Sequence, residues 1–227
     1  MSGYGANTDY WGFADTNTKL QGSTKNPTIS EAQCEDSNGD VASSTMYDST
    51  ADISATYKSC SDTAFVFYDT TKAADFRLGK VIDGYVITSI APDTNNKERP
   101  GLVISGVKCS AADSVVAKYD PSDLEIAGVR KATAIGFTPD TATNLLSSSV
   151  TGTVQVARVL DSQGAEACCD VYGGRIEATN ELVGCTGDPG GAADTGWTLS
   201  GGPSEDEGNT QYVGGSVSLF KNLAKMA

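Results

Sequence analysis

Ile29-Ser-Glu-Ala-Gln-Cys34 runs into Asp36-Ser-Asn-Gly39, and Val154-Gln-Val-Ala-Arg-Val159 runs into Asp161-Ser-Gln-Gly164. Each is a short stretch of alternating side chains followed by a turn sequence. The carboxylate of Asp36 or Asp161 can cap backbone N–H groups, and Gly39 or Gly164 can take the positive φ that closes a hairpin. The two stretches lie 125 residues apart, and that offset holds without a gap when Asp15 to Cys60 is laid on Asp140 to Cys185. Thirteen of the 46 columns are identical, among them Leu20/Leu145, Thr28/Thr153, Ala32/Ala157, Gly39/Gly164, Tyr47/Tyr172 and Cys60/Cys185. About three identities would arise by chance at ordinary residue frequencies. The sequence therefore predicts a tandem duplication. Upstream, one inserted residue also brings Gly12-Phe13 onto Gly136-Phe137.

Working outward, the return strands are expected to end near Tyr47 and Tyr172. A third strand follows in each copy, Ala51 to Tyr57 and Arg175 to Val183, so each copy reads as a three-stranded meander. Beyond Cys60 the first copy continues with Ala64 to Tyr68, a short helix near Thr71 to Leu78, then strands at Lys80 to Ala91 and Leu102 to Lys108. Gly196 to Ser200 and Tyr212 to Phe220 read as counterparts of those last two strands. A polar stretch, Ser110 to Asp123, sets the domain boundary near residue 115. The expected architecture is mainly β: two tandem, duplicated β-sandwich or barrel-like domains with at most one or two short helices. They span 1–115, with an N-terminal arm, and 116–227, with a C-terminal tail.

Composition restricts function. The 227 residues carry 16 basic and 29 acidic side chains, a formal charge of −13, which disfavours nonspecific attraction to nucleic-acid phosphates or anionic lipid. No stretch approaches the roughly 18 apolar residues of a membrane span, and Met1 to Thr8 lacks the pattern of a signal peptide, so the chain is expected to be made and kept in a cytosol. There is no histidine, which removes Ser-His-Asp, Cys-His and His-metal arrangements together. No P-loop, GxGxxG or GxSxG occurs in the required context. The acidic run Glu205-Asp-Glu207 lies among Ser and Gly and reads as a solvated loop.

Asp36-Ser-Asn-Gly-Asp40 opens like a calcium loop, but Val41 stands where that loop needs Gly and Tyr47 where it needs Glu. A plain hairpin turn accounts for what both copies share. The six cysteines, at 34, 60, 109, 168, 169 and 185, form no CxxC pair. In a reducing compartment they read as buried small thiols, with disulfides open to them after release from a cell. Cys168 and Cys169 are expected to point to opposite faces of a strand and are assigned no chemistry. No catalytic, cofactor-binding or metal-binding residue is expected, and no cofactor; the protein reads as a non-enzyme.

Ile29-Ser-Glu-Ala-Gln-Cys-Glu-Asp-Ser-Asn-Gly-Asp-Val41, followed by Leu78-Gly-Lys-Val-Ile-Asp-Gly-Tyr-Val-Ile-Thr-Ser-Ile90, resembles bacteriophage virion proteins of the tail-tube kind. The resemblance covers residues 29 to 108 and consists of strand-and-turn texture. It implies β-sandwich or barrel subunits whose sheets join edge to edge into stacked rings around a channel that conducts DNA. The partners it implies are further copies of the chain and other virion tail proteins; with the duplication, two similar domains per chain would let three chains make a pseudo-hexamer. The termini and the loops Asp93 to Arg99 and Gly201 to Gln211 are candidate latches between rings. Negative charge suits a channel wall to which phosphates must not stick. A capsid decoration or head-completion protein shares this acidic, β-rich signature. So does an extracellular adhesin or surface-layer module, which would add oxidised cysteines and a ligand pocket.

Overall fold

The computed structural model describes residues 8–14, 18–59, 77–95, 101–109, 118–119, 134–141, 143–184, 191–201 and 213–226. All regular secondary structure among them is β-strand. The longest elements are two hairpins: β1 (Thr18–Glu35) with β2 (Val41–Ser59), and, further along the chain, β8 (Thr143–Leu160) with β9 (Glu166–Gly184). Every bound of the second hairpin falls 125 residues after its counterpart in the first.

The turns agree in detail. Asp36 Oδ1 accepts the N–H groups of Asn38 and Asp40 at 2.8 and 3.0 Å, and Asp161 Oδ1 accepts those of Gln163 and Ala165 at 2.8 and 2.9 Å. Gly39 and Gly164 close the turns at φ 84° and 79°. The bulges agree as well. Register shifts at Leu20/Gly22, Thr28/Ser30 and Cys34/Glu35 recur at Leu145/Ser147, Thr153/Gln155 and Val159/Leu160.

The middle bulge corrects the expected three-stranded meander. Met46-Tyr-Asp-Ser-Thr50 does not break the chain; β2 continues through it as one strand, and β9 does the same at Tyr172-Gly173. Asp48 and Gly173 both adopt left-handed φ, 49° and 65°. A bulge uses the same turn-forming residues as a loop, but it bends the strand without ending it.

The other strands are β3 (Val81–Ile82), β4 (Tyr85–Asn95), β5 (Gly101–Lys108), β6 (Lys118–Tyr119), β7 (Phe137–Pro139), β10 (Gly191–Ala193), β11 (Thr198–Gly201), β12 (Val213–Asn222) and β13 (Lys225–Met226). The expected strand at Lys80 to Ala91 is divided, because Asp83 and Gly84 at positive φ make a tight turn between β3 and β4. The expected strand Ala64 to Tyr68 lies outside the described residues, as does the expected helix except for its end. There Arg77 is not helical and Leu78 forms a β-bridge with Tyr119.

The large sheet is antiparallel, in the order β1-β2-β5-β4-β8-β9-β12-β11, with β3 beside β4. It is open: β1 and β11 stand at its two ends, and no described strand joins them. The first four positions are echoed by the last four, β1-β2-β5-β4 by β8-β9-β12-β11. In the β4–β5 pair Val86 faces Val107, Ile87 faces Gly106, and a bulge precedes Ser89 against Ser105. In the β11–β12 pair Thr198 faces Phe220, Leu199 faces Leu219, and a bulge precedes Gly201 against Ser218. A cross-strand hydroxyl contact recurs too: Ser105 to Ser54 at 3.3 Å, and Ser218 to Thr179 at 3.4 Å. The two four-stranded units meet where β4 pairs with β8, Ser89 opposite Thr153 and Asp93 opposite Ser149. The β4–β8 pairing thus places strands from both expected domains in one sheet.

The alternating side chains feed one main core, in which Ile53, Tyr57, Val86, Ile90 and Ile104 of the first unit share a cluster with Val150, Val154, Val171 and Ile176 of the second. Trp11 and Phe13 cap it, and Trp11 Nε1 donates to the Ile104 carbonyl at 3.1 Å. Phe137, Leu182, Val217 and Leu219 form a smaller cluster under Trp197. Tyr57 is fully buried and its hydroxyl donates to the Asp9 carboxylate, tying the N-terminal segment to β2. Burial, and then the hydrogen bond to Asp9, push the Tyr57 phenol well above its ordinary value.

A phenol whose pKa is raised on folding stabilises the fold fully below its unfolded value of about 10, and loses that contribution as pH rises towards the folded value. Melting temperature should therefore fall above about pH 10 in the natural chain, and less steeply in Tyr57→Phe. Thermal melts between pH 8 and 11 check this, and parallel slopes would refute it.

Candidate assembly interface

β5 covers β2 only over Asp52 to Lys58, and β12 covers β9 only over Arg175 to Gly184. Beyond those pairings both hairpins project as arms, Thr28 to Asp48 and Thr153 to Gly173; among the described residues each is a two-stranded ribbon, except that Thr153 at the base of the second pairs with Ser89 of β4. A two-stranded ribbon has two faces and little core of its own, so an arm needs a surface to lie on.

The second arm has one inside the chain. Val154 and Val171 on its inner face are 5% and 0% exposed. Its tip rests on the base of the first arm, where the Asp48 N–H donates to the Gly164 carbonyl at 3.1 Å. Arg158 reaches across to the Asp48 carboxylate at 2.9 Å, and its other nitrogen is 3.7 Å from Glu166. Gly164 lies so close to Tyr47 that an added Cβ would stand 2.6 Å from the tyrosine Cβ. Ile29, Met46 and Tyr47 line an open cleft of about 350 Å³ with Lys108 and the tip residues Gln163 to Glu166.

A covalent link fixes the same arm. Cys169, on the inner face, is joined to Cys109, just beyond β5, with their Cα atoms 6.4 Å apart. Two cysteine expectations change as a result. Cys109 and Cys169 are a disulfide rather than free buried thiols, and Cys34 and Cys168 are free but exposed. The expected opposition of Cys168 and Cys169 across the strand does occur, and it selects Cys169 for the link. Cys60 and Cys185 lie outside the described residues.

The first arm is bare. Ile29, Val41 and Met46 stand where the second arm has Val154, Glu166 and Val171, yet they are 55%, 54% and 57% exposed. Ser44, at the place of Cys169, is exposed too. Among the described residues no segment of the chain covers this face. Two hairpins of the same bounds, bulges and turns therefore differ in whether their inner face is covered.

No catalytic constellation emerges among the described residues. The Asp36 oxygen that would open a calcium loop is already accepting two backbone N–H bonds in the turn. Cys109, Glu166 and Cys169 bring their ligand atoms within 4.8 Å of one another, but sulfurs joined to each other are not thiolate ligands, and the Arg158 guanidinium flanks the carboxylate. The acidic run Glu205 to Glu207 and most of both candidate latch loops lie outside the described residues.

The arms' division into covered and bare was not readable from sequence. The one available signal was the column pairing Asp48 with Gly173, two residue types that tolerate left-handed φ. No protein-family model matches the chain, and no curated protein matches it.

Two predictions follow from this geometry. Gly39→Ala should cost about 1 kcal/mol through backbone strain alone, because nothing lies near its added Cβ. Gly164→Ala should cost more, since it also displaces Tyr47; equal losses in urea titrations would contradict the seating of the tip. Reducing Cys109–Cys169, which closes a separation of 60 residues, should remove about 2–4 kcal/mol of stability. Unchanged unfolding in reductant would count against the link.

Proposed function

We propose that the chain is a virion structural protein, a tail-tube type subunit that assembles with its own copies into stacked rings around an acidic channel that conducts DNA. The observation that carries this reading is the pair of arms. One buries its apolar face within the chain, and its counterpart presents Ile29, Val41 and Met46 to solvent, as a protein designed to remain single would not. The ends of the open sheet support the same view. Among the described strands β1 and β11 are the outermost, and the outer strands of a sheet are either guarded or used for association.

In this reading the two four-stranded units descend from a tandem duplication, and each serves as one sandwich- or barrel-like wall segment. A chain with two such units fills two quasi-equivalent places in a ring, so three chains would close a pseudo-hexamer. The net charge of −13 keeps phosphates from adhering to the wall. Further partners would be the tail proteins above and below, and no enzyme chemistry is assigned.

One observation favours a second reading. The Cys109–Cys169 link suits an oxidising milieu, and so an extracellular surface-layer or adhesin module. A particle released from its host meets the same conditions, which leaves the arms to decide. Negative-stain microscopy with mass photometry tests the proposal: rings or tubes with a central channel are expected, and a monomer at every concentration would refute it.

A further inference from the structure

The covered arm provides a template for covering the bare one. Its receiving surface on the first unit consists of Tyr47 and Asp48 at the bulge, with Lys108 and Cys109 at the end of β5. Strand pairing fixes the matching positions on the second unit. Asp52 faces Val107 in the first unit and Glu177 faces Phe220 in the second, so Lys108 corresponds to Lys221 and Cys109 to Asn222. Tyr47 and Asp48 correspond to Tyr172 and Gly173. Tyr172 is 48% exposed and Asn222 is exposed, so this second receiving surface is open.

The first unit of the chain already carries an arm from the second. The second unit can accept one only from another molecule. We propose that the β1–β2 arm docks head to tail on the second unit of another copy of this chain, in the geometry of the covered arm. This rests on the self-assembly reading above and specifies its contact.

Several consequences are fixed by the correspondence. The N–H of Gly173 of the partner subunit donates to the Gly39 carbonyl, as Asp48 donates to Gly164. Ile29 and Met46 are covered as Val154 and Val171 are. Burying the exposed parts of Ile29, Val41 and Met46 works against the cost of association. Asp40 takes the place of Ala165 and approaches Lys221 of the partner subunit, adding a charge pair that the covered arm lacks. At the base of the arm, Thr28 comes opposite Gly201 of the partner subunit, where Thr153 opposes Ser89. Pro27, at the place of Gly152, removes one N–H donor from β1. The contact is heterologous, so successive copies continue in one direction and close into a ring where the rotation between copies allows it.

The Cys109–Cys169 link supplies the test, because its counterparts are Asn222 and Ser44, both exposed. In a chain carrying Cys34→Ser and Cys168→Ser, the pair Ser44→Cys and Asn222→Cys is introduced and the assembled protein is treated with diamide as the oxidant. Non-reducing electrophoresis should show a ladder of covalent multimers, with none from the parent chain or from either single substitution. Mass photometry of the same samples separates the possible failures. Assemblies without a ladder would overturn head-to-tail docking and leave self-assembly standing; monomers throughout would overturn both. Multimers from Ser44→Cys alone would mean a two-fold contact between arms, and would also overturn the proposal. Independently, Met46→Asp should raise the concentration for half-assembly at least tenfold without changing the monomer's melting temperature. An unchanged concentration would contradict the docking.

Discussion

Much of the structure depends on where the tip of one hairpin comes to rest. Gly164 sits on the left-handed bend at Asp48, and around that contact gather the Arg158–Asp48 ion pair, the Cys109–Cys169 link and the burial of Val154 and Val171. The constraint behind it is general. A β-ribbon that outruns its neighbouring strands keeps its own ladder of hydrogen bonds but cannot bury a face without help. In this chain the β8–β9 ribbon finds help on the first unit. The β1–β2 ribbon, built to the same plan, has no such surface within reach of its described residues.

The bend is an economical device. A bulge at Asp48, and its counterpart at Gly173, redirects the strand while both sides of the hairpin continue in register. The same bend exposes a backbone N–H at the arm's base, and that N–H is what the neighbouring tip accepts. Strand continuity, arm direction and docking surface thus have one local cause.

Much of the fold was legible in the sequence because its signals are local. Asp36 to Gly39 and Asp161 to Gly164 specify their turns through one carboxylate and one glycine, and both turns form as read. Alternation in Ile53, Ala55 and Tyr57 gave the buried face of β2. The reading fails where one residue pattern serves two geometries: the strand end expected near Tyr47, before a new strand at Ala51, is a bulge, and Asp83-Gly84, expected within a strand, makes a turn. The interface was not legible at all. Ile29 and Val154 are similar residues at equivalent places, and only tertiary structure distinguishes the exposed one from the buried one. The partnership of Cys109 with Cys169 is equally non-local, since it depends on how one arm folds across a distant strand.

The central claim is that two corresponding arms are both covered in the assembly, one by the same chain and one by the next. Amide hydrogen exchange, followed at concentrations below and above assembly, measures this most directly. The account predicts that Thr28 to Tyr47 exchanges faster than Thr153 to Tyr172 in the monomer, and that the two arms become equally protected in the assembled state. Equal protection in the monomer, or a difference that persists after assembly, would contradict it.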